Sequence, residues 1–299
     1  MFHCFGTRTW PAVQARSRLV VPVLSATGGG GRSTLSALLA YTFAQVAPTA
    51  VVDASLPDLS PWSSWATPLP TTLAGLGHGT ISTPAGLEGA CSTQTVGDLA
   101  WQVVCLPDPP AGMPGPSPQD CVRLAQLGGW PVTLVDTGHS ALKEVSAGPD
   151  RLWSTTASWL GDIQSSPILS VPRTCQGLDY AHRFVTAVLR QGLSCDRVTV
   201  ALVDVGQGPT PRTVRAASTV LEGRVGAMFK LPYDRQIHAD QMRRPARLTR
   251  STIRAARALA ASLAGTASSP PPAEGASGTR PQSRFAAPSP DEWTRCDQR

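Results

Sequence analysis

Residues 19–34 read Leu-Val-Val-Pro-Val-Leu-Ser-Ala-Thr-Gly-Gly-Gly-Gly-Arg-Ser-Thr, an apolar run that breaks into four glycines and then an arginine with two hydroxyl side chains. A continuous apolar run of this length bounded by glycine is the pattern of a strand buried on both faces. Leu35, Leu38, Leu39 and Phe43 follow at helical spacing, and Ala50-Val51-Val52-Asp53 forms a second apolar run. Strand, glycine loop, helix, strand is a unit that needs a parallel sheet covered by helices. Glycines between a buried strand and a helix let the backbone wrap closely around an anion, with N–H groups and the helix N-terminus supplying partial positive charge.

The same alternation continues outward from this unit. Trp101–Leu106, Val132–Asp136, Ile168–Val171, Val198–Val203 and Gly226–Phe229 read as strands. Pro118–Leu127, about Gly177–Gln191, Pro211–Leu221 and about Thr249–Leu263 read as helices. The stretch from Pro57 to Thr95, rich in Pro, Thr, Ser and Gly, is expected to hold loops and one short helix around Thr71–Leu76. Residues 1–17 form an irregular lead-in, 18–265 the α/β domain, and 266–299 a tail of Pro, Ser and Ala without apolar period, expected to be disordered. The fold class that follows is α/β, a mostly parallel sheet with helices on both faces, and the glycine loop after the first strand makes it resemble the P-loop NTPase-like folds.

Composition narrows the function. With 299 residues and 41% hydrophobic positions the chain can bury a full core. It has no run of eighteen apolar residues, so no transmembrane segment is expected, and Leu19–Ala26 reads as a buried strand rather than a signal peptide. Seven scattered cysteines without a C-x-x-C pair argue for a reducing compartment, with the cytoplasm as the default, and against a zinc site. His3, His78, His139, His182 and His238 are dispersed, and Ser25 lacks the frame of a hydrolase nucleophile. The net charge of +6 permits an acidic partner without requiring one. The tryptophans at Trp62, Trp65, Trp101, Trp130, Trp153 and Trp159 read chiefly as core and loop packing, the alternative being a partner surface near Pro61 and across 153–159.

Thr27-Gly28-Gly29-Gly30-Gly31-Arg32-Ser33-Thr34 resembles the deviant Walker A motif of the ParA/MinD family of ATPases, K-G-G-x-G-K-[ST]-[ST]. Further segments match that family in order and spacing. Val51-Val52-Asp53-Ala54-Ser55 resembles its second motif, Thr133-Leu134-Val135-Asp136-Thr137-Gly138 its Walker B strand, Ala201-Leu202-Val203-Asp204 the strand that often ends in an adenine-reading Asn, and Leu231-Pro232-Tyr233-Asp234 its late segment beside the base. The resemblance implies ATP and Mg²⁺ as cofactors. Gly28 to Gly31, Arg32, Ser33 and Thr34 would hold phosphates, Asp204 and Pro232 the base, and Ser33 and Asp136 the metal. Arg32, Asp53 and Asp58 are the candidate catalytic residues it implies.

Three departures bear on chemistry. Thr27 stands where the family's first lysine reaches across a dimer, Arg32 replaces the second lysine, and Ser55 replaces the acid that orients the attacking water, with Asp58 the only nearby substitute. A planar guanidinium is not equivalent to a compact ammonium in a crowded loop. Weak or absent hydrolysis is therefore expected. The resemblance implies a nucleotide-dependent homodimer with a protein partner, acting in plasmid or chromosome partition or in positioning a secretion or conjugation machine. The alternative is a pseudo-ATPase scaffold. A third reading is non-specific DNA binding through Arg247, Arg250, Arg254 and Arg257, which lie three and four apart as one stripe, with Arg243 and Arg244 beside them.

Overall fold

The computed structural model describes residues 18–55, 60–65, 87, 91–105, 117–138, 140–147, 155–206 and 210–267. The expected lead-in, the helix around Thr71–Leu76, Asp58, His78, His139 and the tail beyond Ala267 lie outside the described residues. Eight strands form one sheet: β1 (Leu19–Ser25), β2 (Thr49–Asp53), β3 (Cys91–Val96), β4 (Leu99–Cys105), β5 (Val132–Asp136), β6 (Ile168–Pro172), β7 (Thr199–Val203) and β8 (Ala227–Leu231). Their order across the sheet is β3-β4-β2-β5-β1-β6-β7-β8. Every pairing is parallel except β3 with β4.

The apolar run of β1 serves two faces at once, because alternate side chains of a strand point to opposite sides. Leu19, Val21 and Val23 pack with α1 (Arg32–Phe43) and the long C-terminal helix Arg250–Ala267. Val20 and Leu24 pack on the other side, with Phe184 and Val185 of the helix Cys175–Arg190 and with Val214 and Leu221 of the helix Arg212–Glu222. All seven residues of β1 are buried. Trp62, Trp101, Trp130 and Trp159 are buried as well, in keeping with a packing role.

Cys91–Val96 departs from the loop expected across 57–95. It pairs antiparallel with β4 from Cys91↔Val104 to Val96↔Leu99, leaving Gly97 and Asp98 as a two-residue hairpin turn with Gly97 at φ +59°. The run Ser-Thr-Gln-Thr is too polar to register as a strand on its own. An edge position with one face in water tolerates that composition, and the ladder is supplied by β4.

Register places the chemistry. Val23 pairs with Asp136, Asp53 with Asp136, and Ser25 with Ser170, so the ends of β1, β2, β5 and β6 meet at one carboxyl edge. The order reverses at β1, whose neighbours β5 and β6 lie on opposite sides, and such a switch point opens a crevice for ligands.

Phe184 is fully buried, whereas Leu189 on the same helix is 45% exposed. Phe184→Ala is expected to cost about 3–5 kcal/mol in urea unfolding, and Leu189→Ala no more than about 0.5 kcal/mol.

Candidate functional site

The glycine loop is pinned from below by two serines. Ser25 Oγ donates to the Thr27 carbonyl at 2.6 Å, and Ser170 Oγ donates to the Gly30 carbonyl at 2.5 Å. A Cβ on Gly30 would collide with Ser25 Oγ, so a larger residue there would have to displace the serine that braces the loop. Gly31 sits at φ +74° as the N-cap of α1, and its carbonyl accepts the Leu35 N–H at 2.8 Å to close the first turn. The backbone N–H groups of Gly28, Gly29 and Gly31 donate to no acceptor among the described residues. The first turn of α1 carries no acidic residue and no side-chain cap, so nothing within the helix offsets its partial positive charge.

Arg32 opens α1 and turns to the sheet edge. Its Nε donates to Asp136 Oδ1 at 2.5 Å in an ion pair in which Arg32 is 8% and Asp136 0% exposed. The other oxygen, Oδ2, accepts the indole N–H of Trp62 at 2.7 Å. Trp62 begins α2 (Trp62–Trp65), itself drawn in from Asp53: Ser60 Oγ donates to Asp53 Oδ2 at 2.5 Å, and the Trp62 N–H donates to Ser60 Oγ at 3.1 Å. Trp62 and Trp65 stack edge to face with centroids 5.4 Å apart, and Trp65 Nε1 donates to Gln241 Oε1 at 2.5 Å. Sequence reading places Trp62 correctly in the core but misses its role as donor to Asp136. The clue available was two tryptophans three apart shortly after an acidic strand end.

Ser55 folds back onto Asp53, donating from both its N–H, at 3.1 Å, and its hydroxyl to Oδ1. Burial raises the Asp53 carboxyl from 3.8 to about 6, and the neighbouring Asp136 charge pushes the same way, against the lowering effect of the serine donors. On the other flank, burial and the Asp53 charge push the Cys105 thiol up to about 12. Asp53 is thus faced by Asp136 on β5, Cys105 on β4, and the serines of its own loop, with Arg32 spent on Asp136.

A second group of candidate residues surrounds a cavity of about 260 Å³ on the other side of Gly31. Thr34, Val203, Asp204, Pro232 and Tyr233 line it, with Leu35, Leu38 and Ile237 making much of the wall apolar. Its size lies just under the range of roughly 300–1,000 Å³ common for small-molecule sites. Asp204 is held by an ion pair to Arg173 and accepts the Gly206 N–H at 3.0 Å, a brace that sequence reading did not identify. Asp234 ties the segment after β8 to the start of the C-terminal helix. It accepts the Gln236 N–H at 2.9 Å, the Thr249 N–H at 2.9 Å and the Thr252 hydroxyl at 2.7 Å. Burial would raise its pKa, but the donors, led by the Thr249 N–H, outweigh that and hold it below the usual value.

The structure therefore brings Gly28 to Gly31, Arg32, Ser33 and Thr34 to the same edge as Asp53 and Asp136, with Asp204 and Pro232 across the cavity from Thr34. The donor set does not fit Mg²⁺ as arranged. Both oxygens of Asp136 are engaged by protein donors, the carboxylate is sealed from solvent, and its charge is already balanced by a guanidinium. Among the described residues, no three His, Cys, Asp or Glu side chains converge on a point that could hold a metal ion.

No protein-family model matches the sequence, and no curated protein matches it. Solved structures do match. A ParA family ATPase from Chlorobium tepidum is 15% identical with a TM-score of 0.51, covering 82% of this chain and 99% of its own. The MinD cell division protein of Aquifex aeolicus is 13% identical with a TM-score of 0.53, covering 81% and 96%. A Cyanothece McdA variant solved with ATP is 13% identical with a TM-score of 0.53, covering 83% and 97%. The fold is that of the ParA/MinD group of P-loop ATPases, as the glycine loop and strand ends imply.

The charge on Asp53 yields a measurable pH dependence. Its carboxyl titrates near 3.8 unfolded and at about 6 folded, so the folded state holds the proton more tightly. The stability this contributes is complete below about pH 4 and is lost as pH rises through about 6. Relative to Asp53→Asn, the wild-type urea stability is expected to fall by roughly 3 kcal/mol across that window.

Proposed function

We propose that this chain is a nucleotide-binding regulator of the ParA/MinD kind, serving partition of DNA or positioning of a cellular assembly, and that it binds ATP without appreciable turnover. The observation that carries the reading is the juxtaposition at Gly31: unpaired loop N–H groups and an uncapped helix N-terminus on one side, an apolar cavity closed by Asp204 and Pro232 on the other. Phosphates suit the first and a flat heteroaromatic base the second.

Hydrolysis lacks its usual parts. Thr27 offers no charge to a partner's phosphates, and Ser55 donates to Asp53 instead of presenting a carboxylate to water. Asp136 is committed to Arg32 and Trp62. Charge stabilisation and water positioning both suffer, while binding through backbone N–H groups is spared. A fluorescent ATP analogue is expected to bind saturably, and Val205→Trp, which fills the cavity from an exposed lining position, to reduce affinity about tenfold or more. Phosphate release should not exceed the protein-free rate. Absence of saturable binding at millimolar nucleotide overturns the reading and leaves a scaffold that kept only the fold.

The C-terminal helix favours a DNA contact in addition. Leu248, Ala256, Leu259, Ala260 and Leu263 are buried against the sheet, which turns Arg250, Arg254 and Arg257 outward. Arg257 donates to Gln45 Oε1 and Arg244 pairs with Asp240, but Arg243, Arg247, Arg250 and Arg254 have no acidic partner among the described residues. Replacing Arg250 and Arg254 by Ala together is expected to lower the slope of log K against log salt by about 2 for duplex DNA of any sequence. An unchanged slope would reduce the stripe to solvated surface.

A further inference from the structure

The Arg32–Asp136 pair has a geometry that hydrolysis-competent P-loop sites reserve for a metal. In such sites a divalent cation sits between an acidic strand end and the phosphate oxygens. Here the acidic strand end holds a guanidinium, carried by the residue that directly follows the glycine bend. Its Nε is spent on Asp136 Oδ1. Neither Nη has an acceptor among the described residues, although Arg32 is buried. Arg32 is the first residue of α1 and follows Gly31, whose free N–H belongs to the anion cradle. The fork of a guanidinium can bind a carboxylate along one edge and a phosphate along another, which a lysine ammonium cannot reproduce in fixed geometry.

We infer that Arg32 takes the place of the divalent cation, bridging Asp136 to the phosphates so that the site accepts its nucleotide free of metal. The inference rests on the nucleotide-binding reading and deepens it. Trp62 completes the device by holding the second carboxylate oxygen, so that an entering Mg²⁺ would have to displace both a cation and an indole N–H from a buried acid. Such a displacement breaks a buried ion pair and strands a buried indole N–H, which is strongly unfavourable. Excess Mg²⁺ would instead compete by withdrawing nucleotide into its metal complex.

The test is titration of the full chain with a fluorescent ATP analogue, once in EDTA and once in millimolar Mg²⁺. Wild-type affinity is expected to be no weaker in EDTA than in Mg²⁺. In Arg32→Lys, where the bridging fork is gone and Asp136 is released, binding should become Mg²⁺-dependent, tightening about tenfold or more. Wild-type binding that Mg²⁺ tightens about tenfold overturns the inference and leaves the nucleotide reading standing. Failure to bind in either medium overturns both. The wild-type comparison decides the matter even if the lysine variant does not fold.

Discussion

A carboxylate with no solvent exposure at the end of a central strand needs a counter-charge, and at Asp136 it comes from Arg32, the first residue of α1. Removing one partner of such a buried pair costs about 3–5 kcal/mol, because the other is left charged and dry. The pair therefore constrains more than itself. It holds the start of α1 against the end of β5, and with it the tetraglycine bend that joins α1 to β1. Ser25 and Ser170 then set the height of that bend over the sheet.

Around this pair the acidic edge has been closed from within. Trp62 donates to the second oxygen of Asp136, Ser60 and Ser55 donate to Asp53, and Trp65 reaches to Gln241 at the end of the short helix Arg235–Asp240. The first three contacts satisfy carboxylate oxygens at that edge from within the chain. Asp53 still carries a cost, since burial beside a second acid raises its pKa while Arg32 is committed elsewhere. The outcome is an acidic edge whose polar groups are met by partners from within the chain.

The cavity and the cradle are separate pieces of architecture that share Gly31 and Thr34. The glycine bend is shaped by its own backbone and by the hydroxyls of Ser25 and Ser170, so it needs no charged side chain of its own. The cavity depends on side chains from β7, the segment after β8 and α1, which meet only because β6, β7 and β8 pair in parallel in that order. Asp234 secures this side by linking that segment to the base of the arginine-bearing helix.

The sequence by itself determined the strand–loop–helix unit, five of the remaining strands, the main helices and the gathering of Gly28 to Thr34, Asp53 and Asp136. Buried parallel strands and amphipathic helices write their period directly into the chain. It did not reveal β3, whose polar Ser-Thr-Gln-Thr run becomes a strand only by borrowing the ladder of β4. Nor could it reveal that Arg32 turns toward Asp136, 104 residues away, or that Trp62 takes the other oxygen. Those partnerships arise from a shared need for charge and hydrogen-bond balance at a dry edge, and only the folded sheet decides which side chains are close enough to meet it.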